Sequence, residues 1–200
     1  MTRTGDPFDW SGGHPALDLV NTRDERPSDA PIENLATYNA FVRFTELAGL
    51  IAPAAAQRLR SLDGPACARV ARRARELREH LYAVLAAVHF GRPVPQNSLD
   101  AIALEVRRAH IARVFTSTGR LSAITHRWVS PTSPEVPLYA CALAVEDLLV
   151  SGDHNRIRKC AAADCEVYFI DTSKAHRRQW CSMQNCGNRE KQRRWRSGAQ

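Results

Sequence analysis

The feature that most constrains this chain is a set of four cysteines near its end. They follow the pattern Cys160-x4-Cys165-x15-Cys181-x4-Cys186. Two paired cysteines, a loop and two more form a tetrahedral site from local knuckles, because each short loop turns two thiolates toward the same point. The x4 spacing is wider than the commonest x2. The pattern nevertheless predicts one structural Zn²⁺ per chain, held by these four thiolates.

Three other uses of the same cysteines have to be weighed. Two disulfides would need an oxidising compartment, whereas no export signal is visible and a cytosol keeps thiols reduced. A redox switch that releases the metal still needs the zinc site first. An iron–sulfur cluster also takes four thiolates, but its usual spacings differ. Zinc is the favoured interpretation, and Cys67 and Cys141 are predicted to pack as small buried hydrophobes.

The composition describes a soluble chain with one sizeable core. It has 200 residues, of which 44% are hydrophobic, which suffices for one main domain and a small module. No apolar run approaches the roughly 18 residues that span a bilayer, and the N-terminus lacks a signal pattern. We therefore expect a cytoplasmic protein without a membrane partner. Only three of the 28 basic residues are lysines, a bias that fits a GC-rich bacterial coding sequence.

The first 152 residues are predicted to form an α-rich domain. "LSAITHRWV", between Gly119 and Pro131, is rich in β-branched and aromatic residues and predicts one or two strands. Apolar residues recur at helical spacing in five segments, which are 30–51, 53–62, 65–90, 98–109 and 138–153. Each segment is predicted to form a helix, and Ser98 is a good cap for the fourth.

Residues 153–200 are predicted to form a separate metal module. "RIRKC" and "CEVYFID" can pair as two short strands across the first knuckle, with Ile157, Val167 and Phe169 as a small core. Asn188 is a credible cap for a basic helix after the last cysteine. The fold class is mainly α with a small β element: an α-rich N-terminal domain and a small treble-clef-like four-cysteine zinc finger. Because so short a module cannot stabilise itself by burial alone, we expect zinc removal to unfold it and to leave the first 150 residues folded.

Positive charge is concentrated in the last quarter of the chain. Residues 151–200 contain eleven basic and five acidic side chains, a net charge of +6, whereas the first 150 residues contribute +1. A polyanion-binding surface is therefore predicted at the C-terminal end. Trp180 and Trp195 are interpreted as packing groups rather than as platforms for bases. The candidates for phosphate contact are Arg177, Arg178, Arg189, Lys191, Arg193, Arg194 and Arg196.

The N-terminal domain contains one polar constellation that suits a ligand site. Asp18 and Asn21 stand between apolar residues in "HPALDLVNT", and Arg78 on the long helix could supply two hydrogen bonds to a buried aspartate. An internal polar network is favoured over a small-molecule sensor. No phosphate-binding glycine loop, nucleophile elbow or open metal triad is visible, so the sequence predicts no enzyme.

The C-terminal segment resembles the CGNR zinc-finger family, named for the tetrapeptide that stands here as Cys186-Gly187-Asn188-Arg189. The resemblance extends over "CAAADCEVYFIDTSKAHRRQWCSMQNCGNREKQRRWR" and implies zinc bound by the four cysteines, as well as DNA binding. "GHPALDLVNT", at Gly13–Thr22, is similar to the start of the ABATE domain, to which a role in stress-induced transcription regulation is assigned by inference.

Together these observations predict a transcription regulator that binds double-stranded DNA through its zinc finger and basic helix. The alternatives are a zinc-stabilised protein-interaction adaptor and an RNA-binding module. Comparing the binding of the protein to duplex DNA, single-stranded DNA and RNA would discriminate among the three functions. A small-molecule effector and a homo-oligomer are compatible with the sequence.

Overall fold

The computed structural model describes residues 6–119, 121 and 124–198. The chain divides into two compact units: one formed by the chain up to Asn34 together with the chain from Leu148, and one formed by Leu35–Asp147. In chain order the elements are α1 (Pro15–Val20), β1 (Arg23–Asp24), β2 (Ile32–Glu33), α2 (Tyr38–Leu47), α3 (Pro53–Arg60), α4 (Pro65–His89), α5 (Gln96–Ile111), β3 (Arg113–Thr116), β4 (Thr125–Trp128), α6 (Val136–Val150), β5 (Ile157–Lys159), β6 (Tyr168–Ile170) and α7 (Asn188–Gly198). The strands form three two-stranded antiparallel sheets. The predicted class, mainly α with small β elements, is confirmed.

The unit Leu35–Asp147 is built on the amphipathic helices that the sequence predicts. Helix α4 begins at Pro65, where the missing N–H of proline has no cost, and buries Val70, Leu77 and Leu81. Cys67 on this helix and Cys141 on α6 are buried, as predicted. No helix within the described residues combines the length and the apolarity that a membrane crossing requires.

One local prediction in this unit is wrong, and one strand was not predicted. Helix α5 begins at Gln96 after Pro95, so Ser98 is a buried residue inside the helix and not its cap. Strand β4 falls within the predicted β segment, although residues 122 and 123 of that segment lie outside the described part of the chain. Its partner β3 was not predicted, because only one residue separates it from α5 and no turn signal marks its start.

The other unit is held together by strand β6. On one side β6 pairs with β5, with Ile157 opposite Ile170 and Lys159 opposite Tyr168. On the other side the backbone N–H of Ile170 donates to the carbonyl of Gly12 at 2.9 Å. Residues near the start of the chain therefore pack against the cysteine-bearing segment. The domain boundary at residue 152 is proposed from the sequence. It differs from the division into the two compact units given above.

Candidate metal centre and basic helix

The first pair of cysteines lies on the turn that follows β5. The N–H of Cys160 donates to the carbonyl of Val167 at 2.9 Å, and the N–H of Cys165 donates to the carbonyl of Ala162 at 3.1 Å. The first bond extends the β5–β6 ladder, and the second closes the turn that carries the two cysteines. Phe169 packs beneath them, fully buried, with Val167 beside it, as the sequence predicts.

The second pair lies where a tight turn leads into α7. Ser182 caps this turn, because its side chain accepts the N–H of Asn185 at 3.2 Å. A single π-helical turn, Met183–Gly187, carries Cys186 and continues directly into α7. Asn188 has helical backbone angles (φ −67°, ψ −40°) and therefore lies inside the helical segment. The predicted cap at Asn188 is wrong, and Ser182 takes that role.

The four sulfur atoms fit a single zinc ion. The ligand atoms of Cys160, Cys165, Cys181 and Cys186 all lie within 4.8 Å of one another. The Sγ–Sγ separations are 3.9 Å for Cys165–Cys181 and 3.5 Å for Cys181–Cys186. A tetrahedral site with Zn–S bonds of about 2.3 Å places its sulfurs about 3.8 Å apart. Four thiolates leave no open coordination position, so this is a structural zinc site.

Without a cation four thiols this close cannot all ionise. The thiols of Cys165 and Cys181 donate toward Cys160 and lower its pKa, and the same contacts raise the pKa values of the two donors. The protein nevertheless offers some compensation for thiolate charge, because the N–H of Cys181 approaches the Cys160 sulfur at 3.4 Å. The metal is what makes four thiolates compatible at one point.

The tetrapeptide from Cys186 to Arg189 has a structural role at each position. Cys186 is the fourth ligand, and a Cβ on Gly187 would lie 3.0 Å from the Met183 sulfur. The Asn188 side chain donates to the carbonyl of Gln184 at 3.2 Å. Arg189 donates to the Cys186 sulfur at 3.4 Å and to Asp164 at 2.8 Å, which joins the second knuckle to the first.

Comparison with known families agrees with this geometry. The family model of ABATE, described as "Putative stress-induced transcription regulator", matches residues 13–152, and the CGNR zinc-finger model matches residues 156–198. The chain belongs to the ABATE family and carries a CGNR zinc finger. A comparison with curated proteins gave no match.

In the CGNR finger, three of the seven cationic candidates are engaged within the protein. Arg178 donates to the carbonyls of Trp180 and Cys181 and lies over the Phe169 ring, 4.5 Å from its centroid. Arg189 and Arg193 both reach Asp164, and Arg193 also pairs with Glu190 at 2.7 Å. These side chains brace the finger.

The other four candidates are exposed and have no acidic partner among the described residues: Arg177, Lys191, Arg194 and Arg196. Lys191 and Arg194 are three residues apart on α7, on the side opposite Arg189 and Arg193. Trp195 lies beside them with 78% of its surface exposed, so its predicted packing role is wrong, whereas Trp180 packs against the cysteines. Lys191, Arg194 and the exposed Trp195 define the outer face of α7.

The polar residues of the ABATE motif anchor the N-terminal segment to the finger. The Asn21 side chain accepts the N–H of Tyr168 and donates to its carbonyl, both at 3.0 Å. Asp18 accepts the N–H of Gly12 at 2.9 Å, and a Cβ on Gly12 would lie 2.6 Å from that carboxylate. Arg78 belongs to the other unit, where it is buried and donates to Glu79. Asp18 and Asn21 therefore bond to backbone groups, Asp18 to Gly12 and Asn21 to Tyr168, and the sequence alone gives no sign of the partner Tyr168.

A groove lies beside the zinc site in the same unit. Its volume is about 1030 Å³, and it is lined by N-terminal residues such as Trp10 and Arg26 and by both knuckles, including Cys165 and Arg189. Asp164, at its edge, was not singled out from the sequence. Asp164 directly precedes the zinc ligand Cys165 in a segment that ends in a basic helix, and this is the sequence signal that could have identified it.

Burial of Asp18 predicts a pH dependence of stability. Desolvation raises the pKa of this carboxyl from 3.8 to about 7, against the lowering effect of the Gly12 N–H. Because the folded state holds the proton more tightly than the unfolded state, the contribution of Asp18 to stability falls as the pH rises from about 4 to 7. Asp18→Asn keeps an oxygen for Gly12 but cannot ionise. We expect the variant to gain roughly 2 kcal/mol over the parent between pH 5.5 and 7.5.

The measurement is urea unfolding of both zinc-loaded proteins across that range. Asp63→Asn is the matched control, because Asp63 is exposed and also accepts a backbone N–H. A stability difference between the Asp18→Asn protein and the parent that does not change with pH would contradict the prediction.

Proposed function

We propose that this protein is a DNA-binding transcription regulator that contacts duplex DNA through the outer face of α7. The observation that carries the proposal is the presence of Lys191 and Arg194 on that face, exposed and next to Trp195, with no acidic partner in the described part of the chain. Phosphate contacts from such side chains supply most of the sequence-independent affinity for DNA. The family description supports a regulatory role.

The proposal assigns no catalytic activity and places the protein in the cytoplasm. A zinc ion with four thiolate ligands has no position for a water or substrate, so it cannot act as a Lewis acid. All six cysteines are free, which suits a reducing compartment. An effector and self-association stay predictions of the sequence.

The test is the salt dependence of binding to a 30-base-pair duplex of random sequence. If the four free cations of the finger each meet one phosphate, they contribute a slope of about −4 in log affinity against log salt. Lys191→Gln combined with Arg194→Gln should reduce the steepness by about 2 and weaken binding roughly tenfold at moderate salt. Lys191 and Arg194 are better targets for substitution than Arg193, because the ion pairs of Arg193 stabilise the finger.

The matched control is Arg58→Gln combined with Arg69→Gln, which removes two exposed arginines of α3 and α4. Zinc content has to be equal in all proteins. A Lys191/Arg194 variant that binds duplex DNA as tightly as this control would refute the proposal, and the adaptor function would be favoured instead. Stronger binding of the parent to RNA than to duplex DNA would favour the RNA-binding alternative.

A further inference from the structure

The β3–β4 hairpin has an unusual charge pattern that the net charge of the first 150 residues conceals. From Val106 to Pro134 the sequence has five arginines and two histidines but no aspartate or glutamate. The nearest acidic residues, Glu105 and Glu135, stand immediately outside this run. The net charge of the first 150 residues is therefore close to zero because this basic run is balanced by acidic residues in other segments.

Several arginines elsewhere in the unit Leu35–Asp147 are paired with carboxylates, whereas Arg107 and Arg127 are not paired with any described carboxylate. Glu105 binds both Arg73 and Arg108, and Glu76 binds Arg72. Arg127 on β4 and Arg107 on α5 are exposed and have no acidic partner among the described residues. The Nε atom of Arg113 is buried and has no hydrogen-bond partner within the described part of the chain. Arg107 and Arg127 thus keep their positive charge available to a ligand.

The hairpin is also exposed on both faces. None of its eight strand residues is buried. The strands pair in register, with Phe115 opposite His126 and Val114 opposite Arg127. The Phe115 ring is 74% exposed and stacks on His126, with the ring centroids 4.6 Å apart. At the base of the hairpin Trp128 contacts Tyr139 of α6, which anchors the ribbon to its unit.

We propose that this two-stranded ribbon is a second contact to duplex DNA, separate from the finger. A two-stranded β-ribbon fits the major groove, which is about 12 Å wide, and strands of four residues extend about 13 Å. Arg107 and Arg127 meet phosphates, and the exposed Phe115 ring contacts thymine methyl groups on the floor of the groove. Water is a poor environment for such a ring, and the methyl groups supply an apolar partner.

The test uses the zinc-loaded full chain and two variants of the ribbon. Arg107→Gln combined with Arg127→Gln should reduce the steepness of the salt dependence on the 30-base-pair duplex by about 2 and weaken binding roughly tenfold at moderate salt. Phe115→Ala should weaken binding to thymine-containing duplexes severalfold and leave the salt slope unchanged, because it removes no charge. The control is again Arg58→Gln with Arg69→Gln.

The ribbon and the outer face of α7 can fail separately. If the Arg107/Arg127 variant matches the control at every salt concentration, the ribbon proposal is overturned while the α7 proposal stands on its own variant. If the Lys191/Arg194 variant matches the control and the Arg107/Arg127 variant does not, the α7 proposal is overturned and the ribbon proposal stands. A loss confined to single-stranded DNA or to RNA overturns the ribbon as a duplex contact. Circular dichroism of each variant verifies that the hairpin substitutions leave the fold intact.

Discussion

Removal of the zinc is expected to make both ends of the chain sensitive to protease, not only the finger. The sequence alone suggests that cleavage begins after residue 152. The structure revises this expectation, because the chain up to Asn34 belongs to the same compact unit as the chain from Leu148. Structural zinc contributes on the order of 10 kcal/mol to folding in small modules. Losing it should therefore release the N-terminal segment as well, while Leu35–Asp147 resists cleavage.

The measurement is limited proteolysis with and without a strong chelator, followed by mass spectrometry of the fragments. Cys181→Ser should reproduce the effect without chelator and should lower zinc content, determined by elemental analysis, from one per chain to near zero. Cys67→Ser is the control, because Cys67 is buried on α4 outside the metal cluster. Equal zinc loss in both variants, or an N-terminal segment that stays protected after chelation, would contradict this account.

Asn21→Ala is expected to destabilise the same unit strongly while zinc stays bound. The substitution leaves both the N–H and the carbonyl of Tyr168 without their buried partner. Each unsatisfied buried group costs about 1–3 kcal/mol, so the free energy of unfolding should fall by roughly 2–6 kcal/mol. Asn21→Asp should be no milder, because a carboxylate would face the Tyr168 carbonyl.

Chemical unfolding of zinc-loaded protein measures the change, and hydrogen exchange at the Tyr168 amide reports the site directly. Asn97→Ala provides the comparison, since Asn97 is exposed on α5. If Asn21→Ala and Asn97→Ala have the same stability, then the bonds to Tyr168 do not hold the N-terminal segment in place.

The zinc site and the major helices could be predicted from the sequence because their signals are local. Cys160 and Cys165 belong to one turn, and the apolar stripe of α4 repeats within one helix, so spacing alone places these side chains. The predicted class and cofactor are confirmed for this reason. Local signals also identify β5 and β6, which flank a single knuckle.

Features that depend on distant partners could not be predicted in the same way. The inward side of α7 is set by Asp164, which is 25 residues before Arg189, and nothing in the helical spacing indicates this ion pair. The pairing of Asn21 with Tyr168 spans 147 residues. Strand β3 was missed because it follows α5 so closely that its four residues continue a plausible helical pattern.

The long separation of Asn21 and Tyr168 has a consequence for synthesis of the chain. Ribosomes add about 5–20 residues per second, so Tyr168 emerges roughly 7–30 s after Asn21. During that interval the apolar residues of α1, among them Leu17 and Leu19, lack the contact with β6 that α1 makes in the folded protein. A nascent chain stalled before β6 would keep this segment exposed. Factors that shield emerging apolar segments should therefore matter more for the yield of this protein than for one whose first helix packs on its immediate neighbours.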